Sequence, residues 1–362
     1  MRLKDIIFSN IYENVPAFGL DISDFSIKIA QLKKKGKGFK LVSFNRTSIP
    51  EGAIEEGAIK KEEKLIEIIK KSLSEAKGKS IKTPYAVCSL PEQHAFVKII
   101  QLPKMNLSEL KEAVQWETEA NIPLSLEEVY LDWQIIPSEK RIDHLNILIN
   151  AVPKEIVDEY LQVLRGADIE PVVFEVESVA TARSLIKNEY SPEPVLIIDL
   201  GFNRTSFIIF AENSVRFTSS VPISNREMIN DIAQKLKISQ KQAQLLKFKI
   251  GLDKEKDGGK AFNALLPSFT RLIYKIEDCI NFHKEHCQKE YGCQKDISKI
   301  ILCGGGAYLK NLPEYLSARL KTSVSLGNPW ANIDKIDKKD TSIKDPLAYS
   351  TALGLALRGA KL

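Results

Sequence analysis

FGLDISDFSIKI, residues 18–29, reads as an apolar strand, a small polar turn carrying Asp21 at its flank, and a second strand carrying Lys28. The pattern returns in VLIIDLGFNRTSFIIF, residues 195–210, with Asp199 in the place of Asp21. Two such hairpins point to an internal duplication, each half built around the same sheet unit. A hairpin turn presents backbone N–H groups into which phosphate oxygens fit, and two facing turns can grip a polyphosphate from opposite sides. Asp21 and Asp199 are then expected to hold hydrated Mg2+, while Lys28 offsets phosphate charge. Lys28 and Asp199 are read as exposed cleft residues, so replacing either with Ala is expected to weaken binding without unfolding the protein.

A third element adds to the pair. ISKIILCGGGAYLKNLPEYLSARL, residues 297–320, runs a buried strand into Gly304, Gly305 and Gly306 and then into a helix with a positive N-terminus. It is neither the G-x-G-x-x-G dinucleotide fingerprint nor a P-loop, which needs G-K-[ST].

At 362 residues and 44% hydrophobic, the chain can bury the cores of two domains or one large composite. A net charge of +5 is too small a bias for a nucleic-acid groove and is compatible with work beside an anionic membrane face. No apolar run approaches the roughly 20 residues that span a bilayer, and the start MRLKDIIFSNIYENVP carries charges inside any signal core, so a cytoplasmic protein is expected. Five cysteines in a long Lys-rich chain fit a reducing compartment rather than a disulfide framework.

Along the chain, KKKGKG is a turn between two strands, read as a solvated loop tip because no aromatic residues interleave the lysines. EEKLIEIIKKSLSEA places Leu65, Ile66, Ile69 and Leu73 on one helical stripe, and TPYAVCSLP follows as a buried strand. The next stretch reads strand, polar helix from about Asn106 to Asn121, strand, turn at SEKRID, strand, helix. That order is an α+β unit inserted into the first domain. VVFEVESVATARSLI then returns as strand and helix, and EYSPEP punctuates the boundary before the second half.

The order FGLDISDFSIKI, VLIIDLGFNRTSF, IILCGGGAYLKNL, with an α+β insertion in the first half, resembles the actin-like ATPase superfamily. The stretches SIPEGAIEEGAIK, LKEAVQWETEANIPLSLEEVYLDWQII and NPWANI look like the PilM family of type IV pilus assembly proteins, and less like the related FtsA cell-division proteins, which end in a membrane-binding helix. The resemblance implies a duplicated, two-lobed α/β fold of ribonuclease H-like type. The first lobe would span residues 1–91, 169–192 and 341–362, the inserted subdomain 92–168, and the second lobe 193–340.

The resemblance further implies ATP and Mg2+ in the interlobe cleft. Asp21, Ser23 and Lys28 fall on the first phosphate hairpin, Asp199, Gly201 and Thr205 on the second, and Gly304, Gly305 and Gly306 on the adenosine motif. Gln244 and Lys247 are candidates for ribose and adenine, and share a helix face at i and i+3. Glu177 and Asp199 are the candidates to orient water or metal for a slow ATPase. Departures from the family pattern are Ser23 for glycine, Arg204 within the second hairpin, Ser224–Asn225 for a glycine pair, and Gln244 for an acid. The implied partners are the N-terminal cytoplasmic peptide of PilN and other inner-membrane assembly proteins, with a further copy of the chain possible. The resemblance implies no nucleic acid, and a peripheral place at the inner membrane through those partners. A filament-forming FtsA-like protein and a small-molecule kinase of the same fold are the alternatives.

Cys279, His283 and Cys287 recur every four residues, a spacing zinc can use, but an apolar stripe from Phe269 to Ile280 runs onto the same side and no closing C-x-x-C follows. They are read as extending a core helix. Trp133, Tyr130 and Val129 are read as core, and the acids around Trp116 as solvated helix faces.

Overall fold

The computed structural model describes residues 15–36, 38–136, 144–287, 295–334 and 343–362. The charged N-terminal start, Lys37 of the basic turn, the turn at residues 138–143 and the Cys287 side chain lie outside the described residues.

Strands β1 (Phe18–Ile22), β2 (Ser26–Lys35) and β3 (Gly38–Ser48) form an antiparallel meander. A small hairpin, β4 (Ile54–Glu55) and β5 (Ala58–Ile59), leads into α1 (Glu62–Ser74); β6 (Lys77–Gly78) then pairs with β3, and β7 (Tyr85–Leu90) lies parallel to β1. The chain leaves this sheet for β8 (Phe96–Pro103), α2 (Leu107–Asn121), β9 (Val129–Ile136), β10 (His144–Pro153) and α3 (Lys154–Gly166). Their three strands form an antiparallel sheet in the order β8-β10-β9. The chain returns as β11 (Glu170–Val176), parallel to β7, and α4 (Glu177–Leu185).

The second half repeats the plan. Strands β12 (Ser191–Leu200), β13 (Thr205–Glu212) and β14 (Ser214–Val221) form the meander. Helices α5 (Asn225–Leu236), α6 (Gln240–Lys249) and α7 (Lys260–Phe282) follow, then β15 (Lys299–Cys303) parallel to β12, α8 (Leu312–Leu320), β16 (Ser323–Leu326) parallel to β15, and α9 (Ser350–Gly359). The order β3-β2-β1-β7-β11 in one sheet and β14-β13-β12-β15-β16 in the other is therefore one topology built twice. Asp21 and Asp199 sit at matching places near the ends of the two central strands.

Local chemistry sets these elements. Val195, Leu196, Ile197 and Ile198 are all fully buried, as a strand covered on both faces requires. Helix α2 begins where the sequence places it, because Asn106 accepts from the Glu109 N–H at 3.0 Å while Glu109 reaches back to the Asn106 N–H. The buried stripe of α1 is Leu65, Ile68, Ile69 and Ser72, a correction to the expected one. Ile66 instead packs on α3 at Gly166, where an added Cβ would fall 2.6 Å from its Cδ1. Trp133 and Val129 are buried, Tyr130 is half-buried with its hydroxyl on Asp158 at 3.1 Å, and Trp116 is 76% exposed. Cys279 lies in the core, and buried His283 bonds the Lys295 carbonyl through Nε2 at 3.0 Å.

Two helices join the halves. Helix α9 is apolar on nearly every side and buried along its length, packed on β1, β2 and β7. Helix α4 touches β7 and β11 of one sheet and β13 and β14 of the other. The two helices meet backbone to backbone: a Cβ on Gly354 would lie 1.8 Å from the Ala180 carbonyl oxygen. Thr181 and Thr351 share a hydroxyl bond of 2.9 Å beside this crossing, and Arg183 donates to the Gly354 carbonyl at 3.2 Å while pairing with buried Glu175.

Gly354→Ala is therefore expected to destabilise the protein by about 1–3 kcal/mol or more through overpacking. Urea unfolding measures the change; a stability within about 0.5 kcal/mol of wild type, as at an ordinary surface position, would show that the helices are free to separate.

Candidate functional site

The hairpin turns β1–β2 and β12–β13 face each other across a cleft of about 150 Å3, lined among others by Asp21, Ser23, Lys28, Glu177, Asp199, Gly201, Gly304 and Gly305. On the first wall, Asp21 and Lys28 are direct cross-strand partners and form an ion pair of 2.7 Å, with both residues buried. The other Asp21 oxygen accepts from Ser89 Oγ at 3.3 Å. The acid and base flanking the turn thus neutralise one another. The reading of Lys28 as an exposed cleft residue is corrected: its loss would strand a buried carboxylate, so Lys28→Ala carries a stability cost as well as a charge change. Ser23 closes the turn, with its N–H and its Oγ both donating to the Ser26 carbonyl, at 3.1 and 3.0 Å.

On the second wall, Asp199 stands beside Cys303 in the parallel pair β12–β15. Burial pushes its carboxyl up to about 6, with Lys28 pulling down and Asp21 pushing further up. Glu177, at the first turn of α4, is pushed well above the usual carboxylate range by burial and then by Asp21, Glu92 and Asp199. Three acids therefore converge where one buried lysine is already engaged.

Glycines shape the rest of this wall. Gly304 has φ +79°, and a Cβ there would fall 2.2 Å from Asp199 Oδ1, so only glycine brings the backbone this close. Gly305 faces open space. Gly306 lies behind, against Leu200, and Thr205 is buried with its hydroxyl on the Ile223 carbonyl at 2.6 Å, so neither lines the cleft. Ser224 is the N-cap of α5 and accepts from the Glu227 N–H at 3.2 Å. Asn225 lines the cleft, and its Oδ1 makes no hydrogen bond. Gln244 and Lys247 lie on α6 and are not among the residues lining this cleft: Gln244 is exposed, and Lys247 is buried beside the Phe248 ring, its ammonium pushed down to about 8 by burial.

Several lining residues carry no sequence signature of binding. Phe25 and Phe202, one from each hairpin turn, stack with ring centroids 3.8 Å apart. Asn203 donates to Asp24 at 3.2 Å; outside the lining, Arg226 lies over Phe202 and pairs with Glu51 of the first half at 2.9 Å.

The residues fit a magnesium nucleotide at its phosphate end. Asp21 and Asp199 are oxygen donors, Gly304 and Gly305 allow close backbone approach, and Asn225 keeps a bare oxygen. Among the described residues no three His, Cys, Asp or Glu are grouped to ligate a metal by themselves. Mg2+ characteristically takes one or two carboxylates and completes its shell with water and phosphate oxygens.

Two sheets of one topology, facing across an acidic cleft and joined beneath it by crossed helices, define the actin-like fold. Solved structures of that fold match most of the chain: the ethanolamine utilization protein EutJ from Carboxydothermus hydrogenoformans (TM-score 0.55, 14% identity, 94% of this chain and 89% of that one) and MreB5 of Spiroplasma citri bound to ADP (TM-score 0.54, 14% identity, 94% and 95%). The chain belongs to the family described as type IV pilus assembly protein PilM, whose sequence model matches residues 19–360. A solved PilM-PilN type IV pilus biogenesis complex superposes with TM-score 0.81 at 25% identity, covering 97% of this chain and 100% of that one. The cell division protein FtsA of Pseudomonas aeruginosa is 23% identical over 208 residues, 54% of this chain and 48% of FtsA. The chain thus spans about half the length of the curated relatives it matches. Among the described residues no helix is long and apolar enough to cross a membrane.

Two outcomes are expected from the cleft. Ionised Asp199 opposes folding: the cost is absent below its ordinary value of 3.8, grows as pH rises to about 6, and is complete above that. Asp199→Asn should be about 1–3 kcal/mol more stable than wild type at neutral pH, converging with it in acid; a pH-independent gap in urea titrations would contradict the assignment. Second, a double-mutant cycle of Phe25→Ala and Phe202→Ala should give a coupling of about 0.5–1.5 kcal/mol, and strict additivity would mean that the rings do not meet in solution.

Proposed function

We propose that the chain is a nucleotide-binding scaffold of the type IV pilus inner-membrane assembly complex, recruited by the N-terminal cytoplasmic peptide of PilN and coupling nucleotide state to assembly. The observation that carries this reading is likeness over 97% of the chain to the PilM-PilN complex. In this reading ATP lies with its phosphates between the hairpins. Asp21 and Asp199 hold hydrated Mg2+, which would neutralise phosphate charge, and Gly201 and Gly305 let the backbone approach. The relative MreB5 bound to ADP supports a nucleotide in such a cleft.

The PilN peptide is assigned to the junction of the first lobe and the inserted unit, where an extended segment gains backbone hydrogen bonds and side-chain pockets. One contact supports coupling between that junction and the nucleotide. Tyr160, on α3 of the inserted unit, lines the cleft and donates to the Gly57 carbonyl of the β4–β5 turn at 3.0 Å. Parting the hairpins around a nucleotide would move this contact, and with it the junction.

Titration of a labelled PilN tail peptide with and without Mg-ATP tests the reading. Binding in both conditions with affinities differing by roughly fivefold or more is expected. Equal affinities remove the coupling, and no peptide binding removes the recruitment.

A further inference from the structure

The cleft's lining residues form two matching rows. In the first sheet Asp21 pairs in register with Lys28, and Lys28 with Arg46 on β3. In the second sheet Asp199 pairs with Ser206, and Ser206 with Ser220 on β14. All six residues line the cleft. The duplicated topology therefore places Arg46 at the outer end of the first row, opposite a neutral serine. Three cationic side chains line this cleft among the described residues, and they are differently engaged. Lys28 is buried on Asp21. Arg204 is fixed to Ser220, donating from Nε to the hydroxyl at 2.9 Å and from a terminal nitrogen to the carbonyl at 3.0 Å. Arg46 makes one ion pair, to Asp345 at 3.0 Å, with the two side chains 33% and 47% exposed.

That difference decides which cation can respond to a ligand. A solvent-screened pair is weak, so exchanging its acid for another anion costs little, whereas breaking a buried pair does not. A guanidinium also matches phosphate oxygens with two parallel N–H donors. Asp345 in turn leads into the turn at Pro346–Tyr349, where the Leu347 carbonyl accepts from the Gly304 N–H at 3.1 Å. Arg46 thus ties β3 to the segment that braces the glycine corner.

We propose that Arg46 distinguishes nucleoside triphosphate from diphosphate in this cleft, by leaving Asp345 for the terminal phosphate. The inference rests on the nucleotide reading above and adds to it a residue that the hairpin and glycine motifs do not contain. Release of Asp345 then carries the phosphate count to the turn that supports Gly304.

Calorimetric titration of the full chain with Mg-AMPPNP and with Mg-ADP tests it. Arg46→Ala is expected to weaken AMPPNP by about 10- to 100-fold, as loss of a charged hydrogen-bond pair does, and to leave ADP within about twofold. Asp345→Asn, which frees Arg46, should tighten AMPPNP and leave ADP unchanged, and it serves as the second variant if Arg46→Ala folds poorly. Wild-type protein that binds neither ligand overturns the nucleotide reading and this proposal together. Wild-type binding of both, with Arg46→Ala shifting the two equally or not at all, overturns the role of Arg46 alone.

Discussion

The crossing of α4 and α9 at Gly354 is the constraint on which the cleft depends. Helix α4 contributes Ala182 and Leu185, and its C-cap Ile186, to the core of the second sheet, while α9 fills the space against β1 and β2 of the first. With a Cβ at the contact the two helices could not close to carbonyl distance, and the sheets they carry would splay. Beside the crossing Arg183 bonds Glu175 and the Gly354 carbonyl, and Arg358 adds a second cation to Glu175 at 3.1 Å. A buried pair so fully bonded fixes orientation more than it adds stability.

Above this crossing the cleft concentrates negative charge. Asp21 is neutralised within its own hairpin, while burial and the neighbouring acids raise the carboxyls of Asp199 and Glu177 above their ordinary range. Evolved binding floors commonly carry such tension, because preorganised donors that repel one another favour the ligand that separates them. The stacked phenyl rings and the Asn203–Asp24 bond hold the two turns together. Closure of the lobes and acidity of the floor oppose each other.

How far the sequence alone discloses this varies with the range of the interaction. The hairpins, the glycine corner and the inserted β-α-β-β-α order were legible, because period-two alternation, turn residues and capping are written within a few positions. The Asn106 cap and the duplicated Asp positions are examples. The pairing of Asp21 with Lys28 was within reach, since hairpin register puts them opposite, but burial of both was not. The α1 stripe shifted because Ile66 answers to Gly166 on another helix. Gln244 and Lys247 rest on resemblance alone, and neither is among the residues lining the cleft. Phe25 and Phe202 meet only after two halves far apart in sequence have docked, and no local pattern records such a meeting.

The same architecture carries a consequence for biogenesis. The sheet begun by residues 18–48 is roofed by a helix at 350–359, so its interior stays open while the intervening chain is being made. At ribosomal speeds that interval is roughly 15–60 s, during which this apolar face is without its cover. A nascent chain of this design has its second lobe in hand before its first is complete.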